Sequence, residues 1–158
     1  MIVQFLHKKL IKKKLTISVA ESCTGGLLAA LMTYFPGSSK TYLGGVSSYS
    51  HGTKVQLLRV SEELILNKGA VSRDVVASMT RNIRKLLGCD YSLGITGMAS
   101  PGESGIQEEP VGTVWVGFCS SKKGLITKYS LCKGTRQDIR EQAVLIALTL
   151  LYHDLKGV

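Results

Sequence analysis

The sequence predicts an α/β protein, a three-layer α/β/α sandwich built on a mixed sheet. Short β-branched runs alternate with helical patterns along most of the chain, which is typical of a sheet covered by helices on both faces. Two strand-like runs near the end, 111–119 and 125–132, are separated by a short polar turn at 120–124. That pattern favours a hairpin, which makes a purely parallel sheet improbable. The 158 residues are 44% hydrophobic, so we expect one domain, 1–158, with a substantial core.

Each element has a local signal. Helices are predicted at 2–12, at 24–35, around 51–58, between Ser61 and Gly69, between Ser72 and Gly88, and from Thr135 onward. Strands are predicted at 15–20, 42–49, 91–96, 111–119 and 125–132. Gly44 and Gly45 lie inside the second strand and indicate a bulge or a close backbone approach. Residues 97–110 form a loop longer than most, which favours a functional role.

The charge is strongly basic at one end. The net charge is +9, and five of the positive charges are the lysines at 8, 9, 12, 13 and 14. Such a cluster is compatible with phosphate or nucleic acid, but no aromatic residues are interleaved with these lysines to stack bases. We therefore favour a solvated helix face and do not expect a nucleic-acid partner.

No apolar run approaches the roughly 20 residues that span a bilayer. The N-terminus also lacks the pattern of a signal peptide. We therefore expect a cytoplasmic protein that does not associate with membranes.

The four cysteines form no CxxC pair, and no histidine lies at metal-ligand spacing from them. A metal site is therefore not expected. Three of them, Cys89, Cys119 and Cys132, lie in apolar surroundings that are typical of buried thiols. Cys23 adjoins a sharp turn, where a helix N-terminus can lower a thiol pKa, so it is an alternative nucleophile.

The stretch from Val19 to Gly26, VAESCTGG, has the pattern of a strand end, a sharp turn and the start of an apolar helix. Ser22 lies at the corner. Such a serine can be a nucleophile, with the backbone N–H groups of Cys23, Thr24 and Gly25 as an oxyanion hole. It can also be a simple N-cap or part of an anion cradle.

A serine nucleophile needs a base, and Lys54 is the candidate we favour over His51. Burial and nearby cations can lower a lysine pKa far enough for it to accept a proton at neutral pH. Tyr49, five residues earlier, can relay the proton or orient the amine. The alternatives are a surface lysine and an ordinary strand tyrosine. For Glu21 we favour a structural role, such as pairing with Lys54.

The carboxyl ends of neighbouring strands in an open α/β sheet meet at one edge. Ser22, Tyr49 and Lys54, and Thr96 and Gly97 each follow a strand, so we expect their loops to converge on one pocket. The loop 97–105 can bind phosphate through its backbone or be a mobile connection. Arg136 and Arg140, near the start of the last helix, can bind phosphate or be solvated.

Five motifs occur in a distinctive order. They are AESCTGG at 20–26, GGVSSYSHGTK at 44–54, GAVS at 69–72, ITGMASP at 95–101 and PVGTVWVGF at 110–118. With these motifs the chain resembles the CinA C-terminal domain family, whose enzymes are nicotinamide-nucleotide amidases. The resemblance covers residues 3–155, so we expect the stand-alone form of the domain.

The resemblance implies hydrolysis of nicotinamide mononucleotide to nicotinate mononucleotide and ammonia, without a metal or an organic cofactor. It also implies a homo-oligomer and a small-molecule nucleotide substrate. The family's catalytic serine, tyrosine and lysine correspond to Ser22, Tyr49 and Lys54. Thr96, Gly97 and Ala99, in the third of these loops, are expected to contact the substrate.

The chain departs from the family pattern at three places. His51-Gly52-Thr53 replaces Asn-Glu-Ala before the lysine, Ser100 replaces a glycine, and Gly134-Thr135-Arg136 replaces Gly-Asp-Arg. The first change can alter the lysine pKa, and Ser100 adds a side chain where backbone approaches the ligand. An alternative is therefore a module that binds a nucleotide or a partner and does not hydrolyse it.

Overall fold

The computed structural model of the protein describes residues 2–101 and 109–157. Its helices are α1 (Ile2–Lys13), α2 (Leu27–Met32), α3 (His51–Leu58), α4 (Glu62–Lys68), α5 (Arg73–Leu87) and α6 (Arg136–Lys156). Its strands are β1 (Ile17–Glu21), β2 (Tyr42–Ser47), β3 (Tyr91–Gly97), β4 (Thr113–Ser120) and β5 (Gly124–Leu131). A 3₁₀ turn at Ser38–Lys40 precedes β2. No helix in these described ranges combines the length and apolarity needed to cross a bilayer.

The strands form one mixed sheet in the order β2-β1-β3-β4-β5. The β1–β2 and β1–β3 pairs are parallel, whereas β3–β4 and β4–β5 are antiparallel. Helices α1, α2 and α6 pack on one face, and α5 covers the other with α3 and α4 against it. The prediction of a three-layer α/β/α sandwich is therefore confirmed.

A separate apolar cluster lies on each face of the sheet. The cluster under α1, α2 and α6 is the larger, and its members include Leu6, Leu28, Val116 and Leu151. The cluster under α3, α4 and α5 includes Ala20, Leu58, Met79 and Ile83. Because both faces are covered, the central strands β1 and β3 are buried over nearly their whole length.

The caps that the sequence predicted are present. The Ser72 side chain accepts a hydrogen bond from the Val75 N–H, and Gly88 ends α5 with a left-handed φ of 62°. Thr135 and Asp138 form a reciprocal capping box at the start of α6. These local signals set the helix boundaries without help from tertiary contacts.

The second helix is shorter than predicted. It begins at Leu27 rather than at residue 24, because Gly25 and Gly26 adopt positive φ values of 56° and 105° that a helix cannot contain. It ends at Met32 rather than at residue 35. Residues 22–26 are consequently a hydrogen-bonded turn, in which the Gly25 N–H donates to the Ser22 carbonyl oxygen.

The second strand has both features that its internal glycines indicated. Its register against β1 slips by one residue, since Ile17 pairs with Tyr42 and Ser18 with Gly44. A Cβ on Gly45 would lie only 2.8 Å from the Val19 carbonyl oxygen. The strand also ends at Ser47, so Ser48 and Tyr49 are free to turn toward the carboxyl edge of the sheet.

Helix α5 approaches the sheet closely over a pair of glycines. Gly94 of β3 and Gly117 of β4 are register partners, and Thr80 of α5 lies over both. A Cβ at either glycine would overlap the Thr80 hydroxyl, and at Gly117 it would lie 3.0 Å from the Thr80 Cβ. These glycines are therefore required by close packing and not by backbone conformation.

We expect Gly117→Ala to destabilise the fold by about 1–3 kcal/mol, because the added methyl group overpacks this contact. Thr80→Ala removes the overlapping hydroxyl, so the double variant should lose less stability than the sum of the single variants. Denaturant unfolding of the unmodified protein, the two single variants and the double variant measures the coupling.

The matched control is Gly52→Ala on the exposed face of α3, where the nearest atom is 3.9 Å away. This variant should be neutral or stabilising. Additive losses at residues 80 and 117 would contradict this packing argument.

Candidate active site

A pocket of about 280 Å³ opens at the carboxyl ends of the parallel strands β2, β1 and β3. The segments that follow these strands supply most of its wall, and the connection between α4 and α5 and the start of α6 supply the rest. The residues that line it are Ser22, Cys23, Tyr49, His51, Lys54, Ala70, Val71, Thr96, Gly97, Met98, Ala99, Ser100, Pro101 and Arg136. The structure thus brings Ser22, Tyr49, Lys54, Thr96, Gly97, Ala99 and Arg136, all selected from the sequence, to one cavity.

Lys54 is a buried lysine in direct contact with the serine. Its side chain is 1% exposed, and its Nζ donates hydrogen bonds to the Ser22 Oγ at 2.9 Å and to the Ser48 carbonyl oxygen at 2.7 Å. The capping box between Ser50 and Thr53 starts α3 immediately before the lysine. The start of α3 therefore directs the amine back toward the strand ends.

The environment of the amine changes its acidity. Burial lowers the pKa of Lys54 from 10.5 to about 8, because a charged ammonium is poorly solvated there. A fraction of the amine is then neutral near pH 7 and can accept the Ser22 proton while it still donates to Ser48. The contact can therefore operate as a serine and its general base.

Ser48 also links the carboxyl ends of β1 and β2 by hydrogen bonds. Its N–H and Oγ both donate to the Glu21 carbonyl oxygen, at 2.8 and 3.2 Å. The residue is completely buried. Its role was not predicted from the sequence, although Ser48 lies between the end of the second strand and the candidate base Lys54.

Glu21 has a structural role, but its partner is not Lys54. Its carboxylate is 1% exposed and accepts hydrogen bonds from the N–H groups of Gly26, Leu28 and Ala29 at 3.3, 3.0 and 2.9 Å. The first turn of α2 is therefore already occupied by a carboxylate from the chain itself. This end of the helix is not an open anion site.

The predicted oxyanion hole is only partly available. The Gly25 N–H donates to the Ser22 carbonyl oxygen at 3.0 Å, so it is not free for a substrate. Within the described ranges, the N–H groups of Cys23 and Thr24 donate to no other residue. Cys23 lines the pocket whereas Thr24 and Gly25 do not, so the Cys23 N–H is the one of these three predicted amides that faces a substrate oxygen.

The two arginines of α6 have different partners. Arg136 lines the pocket and donates to the Ser100 Oγ at 2.7 Å and to the Tyr49 hydroxyl at 2.6 Å. Arg140 instead donates to the backbone carbonyl oxygens of Cys23 and Thr24. Its guanidinium is therefore committed to the Ser22 turn, a position that differs from both sequence interpretations, a phosphate contact and a solvated side chain.

Tyr49 lies at the rim of the pocket, 58% exposed. Its hydroxyl accepts from Arg136, whereas the amine of Lys54 bonds to Ser22 and Ser48. The predicted relay between Tyr49 and Lys54 is thus not formed here.

The loop after β3 closes the other side of the pocket. The Thr96 hydroxyl donates to the Ala70 carbonyl oxygen at 2.9 Å and ties this loop to the segment before α5. Gly97 packs tightly, since a Cβ there would lie 2.9 Å from the Thr113 carbonyl oxygen and 3.1 Å from the Cys23 Sγ. Residues 102–105 of the loop proposed for phosphate binding lie outside the described residues.

All four cysteines are buried and unpaired. Burial raises the pKa of the Cys23 thiol to about 11, the nearby cations Lys54, Arg136 and Arg140 opposing the shift only partly. The thiol is therefore protonated at neutral pH, which disfavours Cys23 as the nucleophile. Over 2–101 and 109–157, no three His, Cys, Asp or Glu side chains are grouped to hold a metal ion.

The basic cluster lies away from this pocket. Lys12 and Lys13 occupy the last turn of α1, and β1 begins shortly after at Ile17. They therefore lie near the amino end of β1, whereas Ser22 follows its carboxyl end. Cations at a helix C-terminus are favoured by the helix dipole, which accounts for these two lysines without a ligand.

Comparison with known proteins identifies the family. The family described as the CinA C-terminal domain matches residues 1–155. The chain belongs to the CinA C-terminal domain family. This membership confirms the resemblance carried by the five sequence motifs.

Curated CinA relatives are longer than this chain. A CinA-like protein of Leptospira biflexa is 42% identical over 156 residues, which are 99% of this chain and 37% of that protein. A CinA-like protein of Desulfotalea psychrophila is 41% identical over 148 residues, which are 94% of this chain and 35% of that protein. The chain thus spans about a third of the length of these relatives.

Solved CinA-family structures have the same fold over nearly the whole chain. The competence damage-inducible protein A of Klebsiella pneumoniae superposes with a TM-score of 0.91 at 31% identity, covering 98% of this chain and 95% of that one. The competence/damage inducible protein CihA of Agrobacterium tumefaciens gives a TM-score of 0.87 at 30% identity, covering 99% of this chain and 96% of that one.

The pKa of Lys54 predicts a pH dependence for the reactivity of Ser22. Raising the pH through about 8 deprotonates the amine, so the rate of covalent labelling by a fluorophosphonate should increase. Between pH about 7 and about 9 the neutral fraction, and with it the rate, should rise roughly tenfold. Intact-mass spectrometry measures the labelling. Lys54→Met is the control and should label slowly at every pH; a flat profile in the unmodified protein would contradict the assignment of Lys54 as the base.

Proposed function

We propose that this chain is an amidohydrolase that converts nicotinamide mononucleotide to nicotinate mononucleotide and ammonia. The observation that carries the proposal is the 2.9 Å contact between the Lys54 Nζ and the Ser22 Oγ at the base of the pocket. A buried amine with a lowered pKa is the group that a serine nucleophile needs. Membership of the CinA C-terminal domain family supports the choice of substrate through the resemblance described above.

In the first half-reaction Ser22 attacks the carboxamide carbon. Lys54 in its neutral form takes the hydroxyl proton as the Oγ–C bond forms, and it becomes an ammonium held by Ser48. The carbonyl oxygen of the substrate becomes an oxyanion, which the N–H group of Cys23 is available to stabilise. When the tetrahedral intermediate collapses, Lys54 returns the proton to the leaving nitrogen and ammonia departs.

In the second half-reaction water hydrolyses the acyl-enzyme. Lys54 is neutral again after ammonia has left, so it can take a proton from the attacking water. The C–Oγ bond then breaks, Ser22 recovers its proton from Lys54, and the carboxylate product is released. The same amine serves both halves because its pKa lies near the working pH.

Arg136 is the group that we assign to the phosphate of the substrate. It is the arginine that lines the pocket, and its two hydrogen-bonded neighbours, Ser100 and Tyr49, are neutral hydroxyls. A phosphate accepts more strongly from a guanidinium than a hydroxyl does, so it can replace them. Ser100, one of the departures from the family pattern, therefore competes with the phosphate rather than blocking the pocket.

Tyr49 is assigned to the same end of the substrate. Its hydroxyl bonds to Arg136 and its ring lines the rim, so in this arrangement it orients the guanidinium. The catalytic role implied by the family resemblance would require the hydroxyl to leave Arg136 once phosphate binds. The homo-oligomer and the cytoplasmic location implied by the same resemblance remain predictions.

Ser22→Ala should abolish ammonia release from nicotinamide mononucleotide, because the nucleophile is lost, with a decrease on the order of a thousandfold or more. A coupled ammonia assay measures the rate, and mass spectrometry identifies nicotinate mononucleotide as the product. Ser121→Ala, at an exposed serine in the turn between β4 and β5 and outside the pocket, is the control for the substitution itself. Equal rates in Ser22→Ala and the unmodified protein would rule out this mechanism. Calorimetric binding of the mononucleotide without any ammonia release would favour the non-catalytic binding module.

Arg136→Gln should raise the KM for nicotinamide mononucleotide by roughly ten- to a hundredfold with little change in kcat, because one charge-assisted phosphate contact is lost. Nicotinamide riboside, which lacks the phosphate, is the matched control substrate, and its kinetics should not change. Measuring kcat and KM for both substrates separates a loss of phosphate binding from a loss in the chemical step. An equal loss for both substrates would contradict a phosphate contact at Arg136.

A further inference from the structure

The two peptide carbonyls that follow Ser22 are held by a guanidinium from α6. The Arg140 Nε donates to the Cys23 carbonyl oxygen at 3.1 Å, and its Nη2 donates to the Thr24 carbonyl oxygen at 2.9 Å. The remaining Nη1 donates to the Gln137 Oε1 at 2.8 Å, one helical turn back. Each of the three guanidinium nitrogens therefore has an acceptor, and the planar fork fixes the positions of two consecutive peptide groups.

The opposite side of the same segment is held by Glu21. Its carboxylate takes the N–H groups of Gly26, Leu28 and Ala29, while Arg140 takes carbonyl oxygens from Cys23 and Thr24. Both charged groups thus bind backbone. The turn between them contains two glycines with positive φ, so it has little regular structure of its own. Besides two backbone hydrogen bonds, from the Gly25 and Leu27 N–H groups to the Ser22 and Thr24 carbonyl oxygens, these two side chains fix its conformation.

The arginine also sets the direction of an amide group. In a trans peptide the C=O and the N–H point in opposite directions, and the described chain contains no cis peptide bond. Holding the Cys23 carbonyl against Arg140 therefore directs the Thr24 N–H away from the guanidinium. The positive charge of Arg140 beside the Cys23 carbonyl oxygen also polarises the peptide bond, which makes the Thr24 N–H a stronger hydrogen-bond donor.

We propose that Arg140 is a positioning residue that fixes the Ser22 turn in its reactive conformation by holding the Cys23 and Thr24 carbonyl oxygens. The inference rests on the assignment of Ser22 as the nucleophile under the proposed function. Arg140 does not line the pocket, so it acts through the turn and not on the substrate. Its loss should lower the reactivity of Ser22 and the kcat, and it should leave the KM nearly unchanged.

Lys133 offers a matched control just before the same helix. Its side chain is exposed and does not line the pocket. Lys133→Met and Arg140→Met each remove one positive charge near the start of α6. A general effect of charge on Ser22 should therefore appear in both variants, whereas an effect of positioning should appear only at residue 140.

The test measures the second-order rate of labelling by a fluorophosphonate at pH about 9, where Lys54 is neutral. The Ser22 Oγ forms a bond to phosphorus, the P–F bond breaks, the serine proton passes to Lys54 and fluoride leaves. Arg140→Met should label roughly ten- to a hundredfold more slowly, since small displacements of a nucleophile have effects of this size. Arg140→Lys should be intermediate, because a point charge cannot hold both carbonyls.

Two further measurements separate positioning from a loss of folded protein. Circular dichroism melting establishes that the variants are folded at the assay temperature. Added methylguanidinium should restore part of the rate in Arg140→Ala and should leave the rate of Lys133→Ala unchanged. The midpoint of the pH profile should stay near that of the unmodified protein, because Arg140 does not bond to Lys54.

The outcomes are distinct. Wild-type labelling rates in folded Arg140→Met and Arg140→Lys would overturn the inference, and so would a loss explained entirely by a shifted pH midpoint. Labelling of the unmodified protein without ammonia release from nicotinamide mononucleotide would count against the proposed substrate and leave the comparison at residue 140 intact. An unmodified protein that is not labelled at all would overturn both the nucleophile and its positioning.

Discussion

The hydrogen bond between a buried amine and a serine is the interaction on which the rest of the site depends. Lys54 is 1% exposed, and its charged form is disfavoured by burial. The protein bears this cost because Ser48, Glu21 and the Ser22 turn are fixed by bonds between adjacent strand ends. The covered sheet supplies the rigidity, since both of its faces are packed. The fold thus holds Lys54 in a site where its charged form is less favourable than it would be in water.

The first turn of α2 shows how one side chain changes the electrostatic role of a helix. A free helix N-terminus attracts anions, and the glycine-rich turn before α2 has the composition of such a site. Glu21 occupies that position with its own carboxylate. Under the proposed function, an external phosphate instead binds the pocket-facing guanidinium of Arg136. This assignment keeps the carboxamide end and the anionic end of the proposed substrate apart within one pocket.

Much of the fold was predictable from the sequence because its signals are local. Ser72, Gly88 and Thr135 mark helix ends through caps that need no distant partner. The placement of Ser22 and Lys54 followed from the rule that strand ends share an edge. The roles of the two arginines could not be predicted, because they lie four residues apart on one helix and look equivalent. The packing of α6 on the sheet decides which guanidinium faces the pocket and which one faces the turn.

Cys23 gives the pocket a chemoselectivity that residue types alone would not predict. An electrophile that enters meets a hydroxyl and a thiol on adjacent residues, and sulfur is intrinsically the better nucleophile of the two. Here the base is bonded to the oxygen, and burial keeps the sulfur protonated with a pKa of about 11. Under the proposed mechanism, solvation therefore favours an oxygen ester at Ser22 over a thioester at Cys23, and the cysteine can lie beside the serine without competing for the acyl group.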